Sequence, residues 1–226
     1  MVSTPWCSFG AITMNSAGPS QQFLSPQTRV RVFVDYWNFQ LTLNERSGKE
    51  RFLVDWRGLG PWLARVACES VNITCHSFEG VIVYASFNPK TDESKKFRSW
   101  VTNWLGRPPG VAVRCLERRP RAGPRCSACH REITVCPHCS ETISPTQEKG
   151  VDTLIATDMI RLAWEGAYDL AVLATLDADL VPAVEFLDMK GRKVIQAGFP
   201  PAGHHLATAC WASFDVSARR DEIRRS

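Results

Sequence analysis

Five side chains in this sequence could together form a metal-dependent reaction centre: Asp35, Asn38, Asp152, Asp177 and Asp179. All are oxygen donors, the type suited to Mg²⁺ or Mn²⁺, which keep waters and accept phosphate oxygens. Without a cation, carboxylates packed into one patch repel, and some must stay protonated. With one, such a patch can activate water and stabilise the charge that develops on a phosphodiester. Each acid also has a plainer reading. Asp35 can be a strand-end turn residue, Asp152 a first-turn helix acid favoured by the macrodipole, and Asp177 or Asp179 a helix cap.

A second constellation is Cys126-x2-Cys129-x6-Cys136-x2-Cys139. Two CxxC pairs on facing turns present four thiolates to a tetrahedral zinc ion, which would be structural because no coordination position stays open. An iron–sulfur cluster and free redox thiols remain alternatives, and His130 and His138 inside the pairs are expected to point outward. The remaining cysteines are scattered; Cys68, Cys115 and Cys210 read as core thiols, while Cys7 and Cys75 say little. Nine cysteines spread this way through 226 residues are not a secreted disulfide framework. Reduced thiols and a cytoplasmic address are expected.

The elements that must position these groups follow from periodicity. Strands are predicted over 29–35, 80–87, 111–116, 170–175 and 193–197, with helices over 61–70, 94–105, 150–166 and 180–190. Short apolar strands alternating with helices predict a three-layer α/β/α fold with a mostly parallel sheet covered on both faces. Ligands bind at the carboxyl edge of such sheets, where Asp35 and the Asp177/Asp179 pair fall. Asp158 lies about 20° off the apolar face of its helix and, like Thr175, is expected to support the site from behind. The chain divides into a flexible leader (1–28, with Trp6 and Phe9 as docking candidates), the first part of the domain (29–119), the cysteine insert (120–147), the second part (148–216) and a basic tail (217–226). No internal repeat is visible.

Net charge is only +4, from 27 Lys and Arg against 23 Asp and Glu, which excludes a polycation. No apolar run approaches the roughly 18 residues of a membrane span, and no secretory signal is visible at the start. Charge is nonetheless uneven. Ten basic and three acidic residues lie between Lys90 and Arg125, whereas two basic and eight acidic lie between Lys149 and Asp188. A basic face beside an acidic site fits a polyanion held by one and cut by the other, with Arg118, Arg119, Arg121 and Arg125 as phosphate contacts. Trp100 and Trp104 share a helical stripe and read as core, and His204-His205 as a surface pair.

The ordered series Val32-Phe33-Val34-Asp35-x-x-Asn38, Lys149-Gly150-Val151-Asp152 running to Asp158, and Thr175-Leu176-Asp177-Ala178-Asp179 resembles the NYN domain family of PIN-like nucleases. Val181-Pro182, Gly191-Arg192-Lys193-Val194 and Gly198-Phe199-Pro200 continue the likeness over about 29–216. The resemblance implies metal-dependent RNA cleavage (DNA is not excluded by the residues), with Asp35, Asp152, Asp177 and Asp179 holding Mg²⁺ or Mn²⁺ and Asn38 in support. Two departures stand out: Leu176 where the family often has a small residue, and bulky Tyr36-Trp37 where a glycine is common. The alternative is a catalytically inactive RNA-binding or protein-docking adaptor, with the zinc insert facing a protein partner. A third option is a phosphatase or nickase of another acid-rich α/β fold. Nothing in the residues sets an oligomeric state.

Overall fold

The computed structural model describes residues 27–48, 51–140, 142–143 and 145–225. The leader therefore lies outside the described residues except for its last two, and Trp6 and Phe9 with it. The first strand, β1 (Thr28–Asp35), sends Val30, Val32 and Val34 to one face and Phe33 to the other, all fully buried. Apolar residues on both sides of a strand require cover on both sides. It runs directly into α1 (Tyr36–Ser47), followed by α2 (Leu59–Ser70), β2 (His76–Phe87), α3 (Asp92–Trp100) with a wider π-helical turn at Val101–Leu105, and β3 (Val111–Glu117). Two short strands, β4 (Arg119–Pro120) and β5 (Thr146–Gln147), pair antiparallel at the stem of the insert. The chain then forms α4 (Val151–Trp164), β6 (Leu170–Ala174), α5 (Val181–Met189), β7 (Lys193–Gly198), α6 (His204–Ala209) and β8 (Ala212–Asp215).

Six strands form one parallel sheet in the order β3-β2-β1-β6-β7-β8. The sheet grows one way from β1 through β2 and β3; the chain then returns to lay β6 on the other side of β1. Parallel crossovers are right-handed, so reversing the direction of growth sends the later helices to the opposite face. Phe39 and Leu43 of α1 and Leu63 and Val66 of α2 accordingly pack with Val32 and Val83, whereas Ile155 and Met159 of α4 and Val184 of α5 pack with Phe33, Ile82 and Leu173. This is the expected three-layer α/β/α fold. Its reversal opens a crevice between the carboxyl ends of β1 and β6.

The C-terminal segment corrects the sequence reading. The described residues of the expected basic tail, 217–225, do not behave as a solvated segment: Ser217–Ile223 is a 3₁₀ helix that buries Ile223 in the core beside α2. Backbone bonds from Asp55 to Ile223 and from Arg225 to Leu53 stitch the chain end to the loop before α2. Arg219 adds ion pairs to Glu69 and Glu222. One buried isoleucine turns an arginine-rich end into part of the body.

The cysteine insert contains a repeat that composition hides. Cys126 accepts a backbone bond from His130, and Cys136 accepts one from Ser140; both donors have left-handed φ, 57° and 56°. Around each turn the same bridge recurs, Arg125 with Glu132 and Val135 with Thr142. Ile133 then donates to Pro124 as Ile143 does to Thr134. The backbone geometry thus repeats every ten residues although few residue types do.

Candidate active site

Asp35 ends β1 and caps α1, its Oδ1 accepting the backbone N–H of Asn38 at 3.2 Å. Asp177 follows β6 and caps the short 3₁₀ turn Ala178–Leu180, its Oδ1 accepting from Asp179 N at 2.9 Å. The plain capping role is therefore real for both, yet it occupies one oxygen of each carboxylate and leaves the other. Asp152 sits in the first turn of α4, at the same edge of the sheet. Asn38 spans the crevice: its Oδ1 accepts the backbone N–H of Leu176 at 2.9 Å, tying the start of α1 to the loop after β6. Thr175 is buried, and its hydroxyl accepts Asp177 N at 3.3 Å, which orients the acidic turn.

The electrostatics show that these acids meet. Burial, followed by the neighbouring charges of Glu148, Asp152 and Asp177, pushes the Asp35 carboxyl up to about 7, against the Asn38 bond that lowers it. Burial and then Asp177, Glu148 and Asp179 raise Asp152 as well. Among the described residues none of Asp35, Asp152, Asp177 and Asp179 carries an ion pair.

Glu148 was missed by sequence reasoning. It lies just before α4, where it accepts a hydrogen bond from the hydroxyl of buried Ser86 at the end of β2. Arg118 donates its Nε to that hydroxyl at 2.9 Å and brings a second nitrogen within 3.9 Å of Glu148. Arg118 is thus part of the pocket wall rather than of an open basic face. Arg119, Arg121 and Arg125 remain exposed on the insert stem. Arg118, Arg119, Lys149 and Gly150 line a cleft of about 490 Å³ beside the acids. Asp158 points elsewhere: buried under Tyr84 (3.0 Å), Arg161 (3.2 Å) and Arg114 (3.5 Å), it pins α4 to β2 and β3.

Whether these residues fit a cation depends on donor chemistry. Among the described residues no three His, Cys, Asp or Glu side chains close into a ready-made cage. Mg²⁺ rarely asks for one, since it keeps several waters and takes one or two carboxylates plus substrate phosphates. An all-oxygen set with spare lone pairs and unneutralised charge fits such an ion. The departures from the family pattern are absorbed by packing. Tyr36 is buried against Trp56 with ring centroids 4.6 Å apart, and Leu176 lies over Gly203, where a side chain would meet it at 2.7 Å.

Among the described residues, no helix is long and apolar enough to cross a membrane. No curated protein matches the sequence. A solved structure of a protein of unknown function from Vibrio parahaemolyticus RIMD 2210633 is similar at 16% identity, covering 84% of this chain and 95% of that one, with a TM-score of 0.47. The NYN domain family model matches residues 29–215, the whole span from β1 to β8 with the acidic crevice inside it, and the chain therefore belongs to the NYN domain family of PIN-like nucleases.

Proposed function

We propose that this protein is a metal-dependent endoribonuclease acting on single-stranded or loop RNA. The observation that carries the reading is the convergence of Asp35, Glu148, Asp152 and Asp177 at the strand-order reversal, where burial first, and then the acidic neighbours, raise Asp35 to about 7. Asp35, Asp152, Asp177 and Asp179 would hold Mg²⁺ or Mn²⁺, which supplies an activated water and Lewis acidity toward a phosphoryl oxygen. Asn38 fixes the distance between the two acidic loops. Ser86 and Arg118 hold the Glu148 carboxylate in place, and Arg118 presents a cation beside the crevice for an incoming phosphate.

Cys126, Cys129, Cys136 and Cys139 would hold a structural zinc ion. The repeated turn supports this, because backbone N–H groups hold the Cys126 and Cys136 thiols below their usual range, which favours the thiolate a metal needs. Free cysteines throughout the described residues suit a reducing cytoplasm.

The test is incubation of labelled single-stranded RNA and DNA with the protein in Mn²⁺ or EDTA, beside Asp177→Asn. Cleavage of RNA in Mn²⁺ alone, lost in the variant, is the expected result. Binding without turnover in any metal would instead support the adaptor.

A further inference from the structure

A second depression adjoins the acidic crevice. It lies between α1 and α3, has a volume of about 760 Å³, and is walled by Trp37, Phe97 and Trp100 with Leu41 at its lip. That volume suits a small organic ligand of nucleotide size. The groove is built rather than accidental. Trp37 donates its indole N–H to the Ser86 carbonyl at 2.7 Å, and its ring lies 4.7 Å from Phe97, so the aromatic wall is fixed to the sheet. Leu41, by contrast, is 58% exposed, an apolar side chain left open at the mouth.

Charge identifies the occupant. Arg51 and Lys96 line the groove against a single acid, Glu93, and among the described residues neither cation has an ion pair. Aromatic faces with cations at the rim suit a base with its phosphate. The groove adjoins the crevice across one side chain: Arg118 lies over the Trp37 ring at 5.6 Å and reaches Ser86 and Glu148.

We propose that this groove is a nucleobase subsite, which takes one unpaired base of the RNA a short way from the bond cut at the acids. The inference rests on the nuclease reading for the presence of RNA, but not on turnover. A base stacked on these rings accepts any sequence, since every base has a π-face, and excludes duplex, whose bases are not free to enter.

The test uses Asp177→Asn with Ca²⁺, so that binding is read without cleavage, and a single-stranded RNA carrying one abasic or one 2-aminopurine residue at each position in turn. One position should stand out: abasic replacement there weakens binding about tenfold, and 2-aminopurine there is quenched on binding. Phe97→Leu, and separately Arg51→Gln with Lys96→Gln, should remove that positional effect. RNA binding that is uniform along the scan, or a positional effect that survives both variants, overturns the subsite while leaving the nuclease reading intact. No RNA binding by the wild-type chain, together with no cleavage, overturns both.

Discussion

The acidic crevice and the cysteine insert both gather potential metal ligands, but they stand in opposite relations to the fold. In the crevice the sheet comes first. Asp35 is 4% exposed at the end of a fully buried strand, and its neighbours are set by caps, by Asn38 and by the Ser86–Glu148 bond. The scaffold holds like charges together and bears the cost of doing so. In the insert most of the described side chains between Arg119 and Gln147 are exposed, and Ile133 and Val135 stay 38% and 48% open. No core is there to hold the thiols, so bound metal would supply folding free energy. A cation completes the chemistry of one region and the structure of the other.

The largest test of that contrast is substitution at Asp35 or Asp177. Asparagine still caps a helix, so Asp35→Asn should keep the fold and slightly raise the melting temperature of the metal-free protein, yet lower cleavage by about 100-fold or more. Near-normal turnover in both single variants would break the assignment. In the insert the outcome reverses. Metal analysis should find about one zinc per chain. Cys126→Ser or Cys136→Ser should release it and open residues 120–147 to limited proteolysis, while the melting of the α/β body barely moves. A body that unfolds with the insert would show that the two regions are not independent.

Proton linkage sharpens the comparison further. Asp35 is raised from its ordinary 3.8 to about 7, so the folded state holds a proton that the unfolded state has released between those values. The contribution of Asp35 to stability should be greatest below about pH 4, fall by up to about 4 kcal/mol as pH rises to 7, and level off above it, a difference read between the wild type and Asp35→Asn. Mn²⁺ should oppose this fall, giving a larger rise in melting temperature at pH 8 than at pH 5. An equal rise at both would place the ion elsewhere. The smallest effect belongs to the exposed stem: Arg119→Gln with Arg121→Gln should weaken RNA binding evenly across sequences and flatten the salt dependence by about 0.7 per lost phosphate contact. Unchanged binding would leave the polyanion path to Arg118 and the aromatic groove.

Local pattern carried most of the sheet. Residues 29–35 alternate, turn apolar and end on an acid, and the apolar run 170–175 is followed two residues on by Asp177, so both the strands and the converging ends of the crevice could be read directly. What escaped was built by distant partners. The buried stripe of α1 is Tyr36, Phe39, Gln40 and Leu43, and the glutamine breaks the apolar period; its amide is satisfied by Asn44 and by the Phe52 carbonyl, twelve residues away. Glu148 follows an irregular insert, and Ser86, which fixes it, lies 62 residues earlier. Arg118 looked like one more cation in a basic run until the same serine drew it into the crevice.

The contact between Leu176 and Gly203 has a consequence for how this protein can change. Gly203 has φ +73°, and a Cβ there would fall 2.7 Å from the Leu176 side chain and 3.0 Å from the Gln196 amide. The leucine fits over a bare glycine, and position 203 is closed to side chains twice over, by its left-handed backbone and by the atoms above it. Bulk at 176 is therefore bound to glycine at 203: a side chain at 203 would press on Leu176, next to the Asp177 turn that faces Asp35.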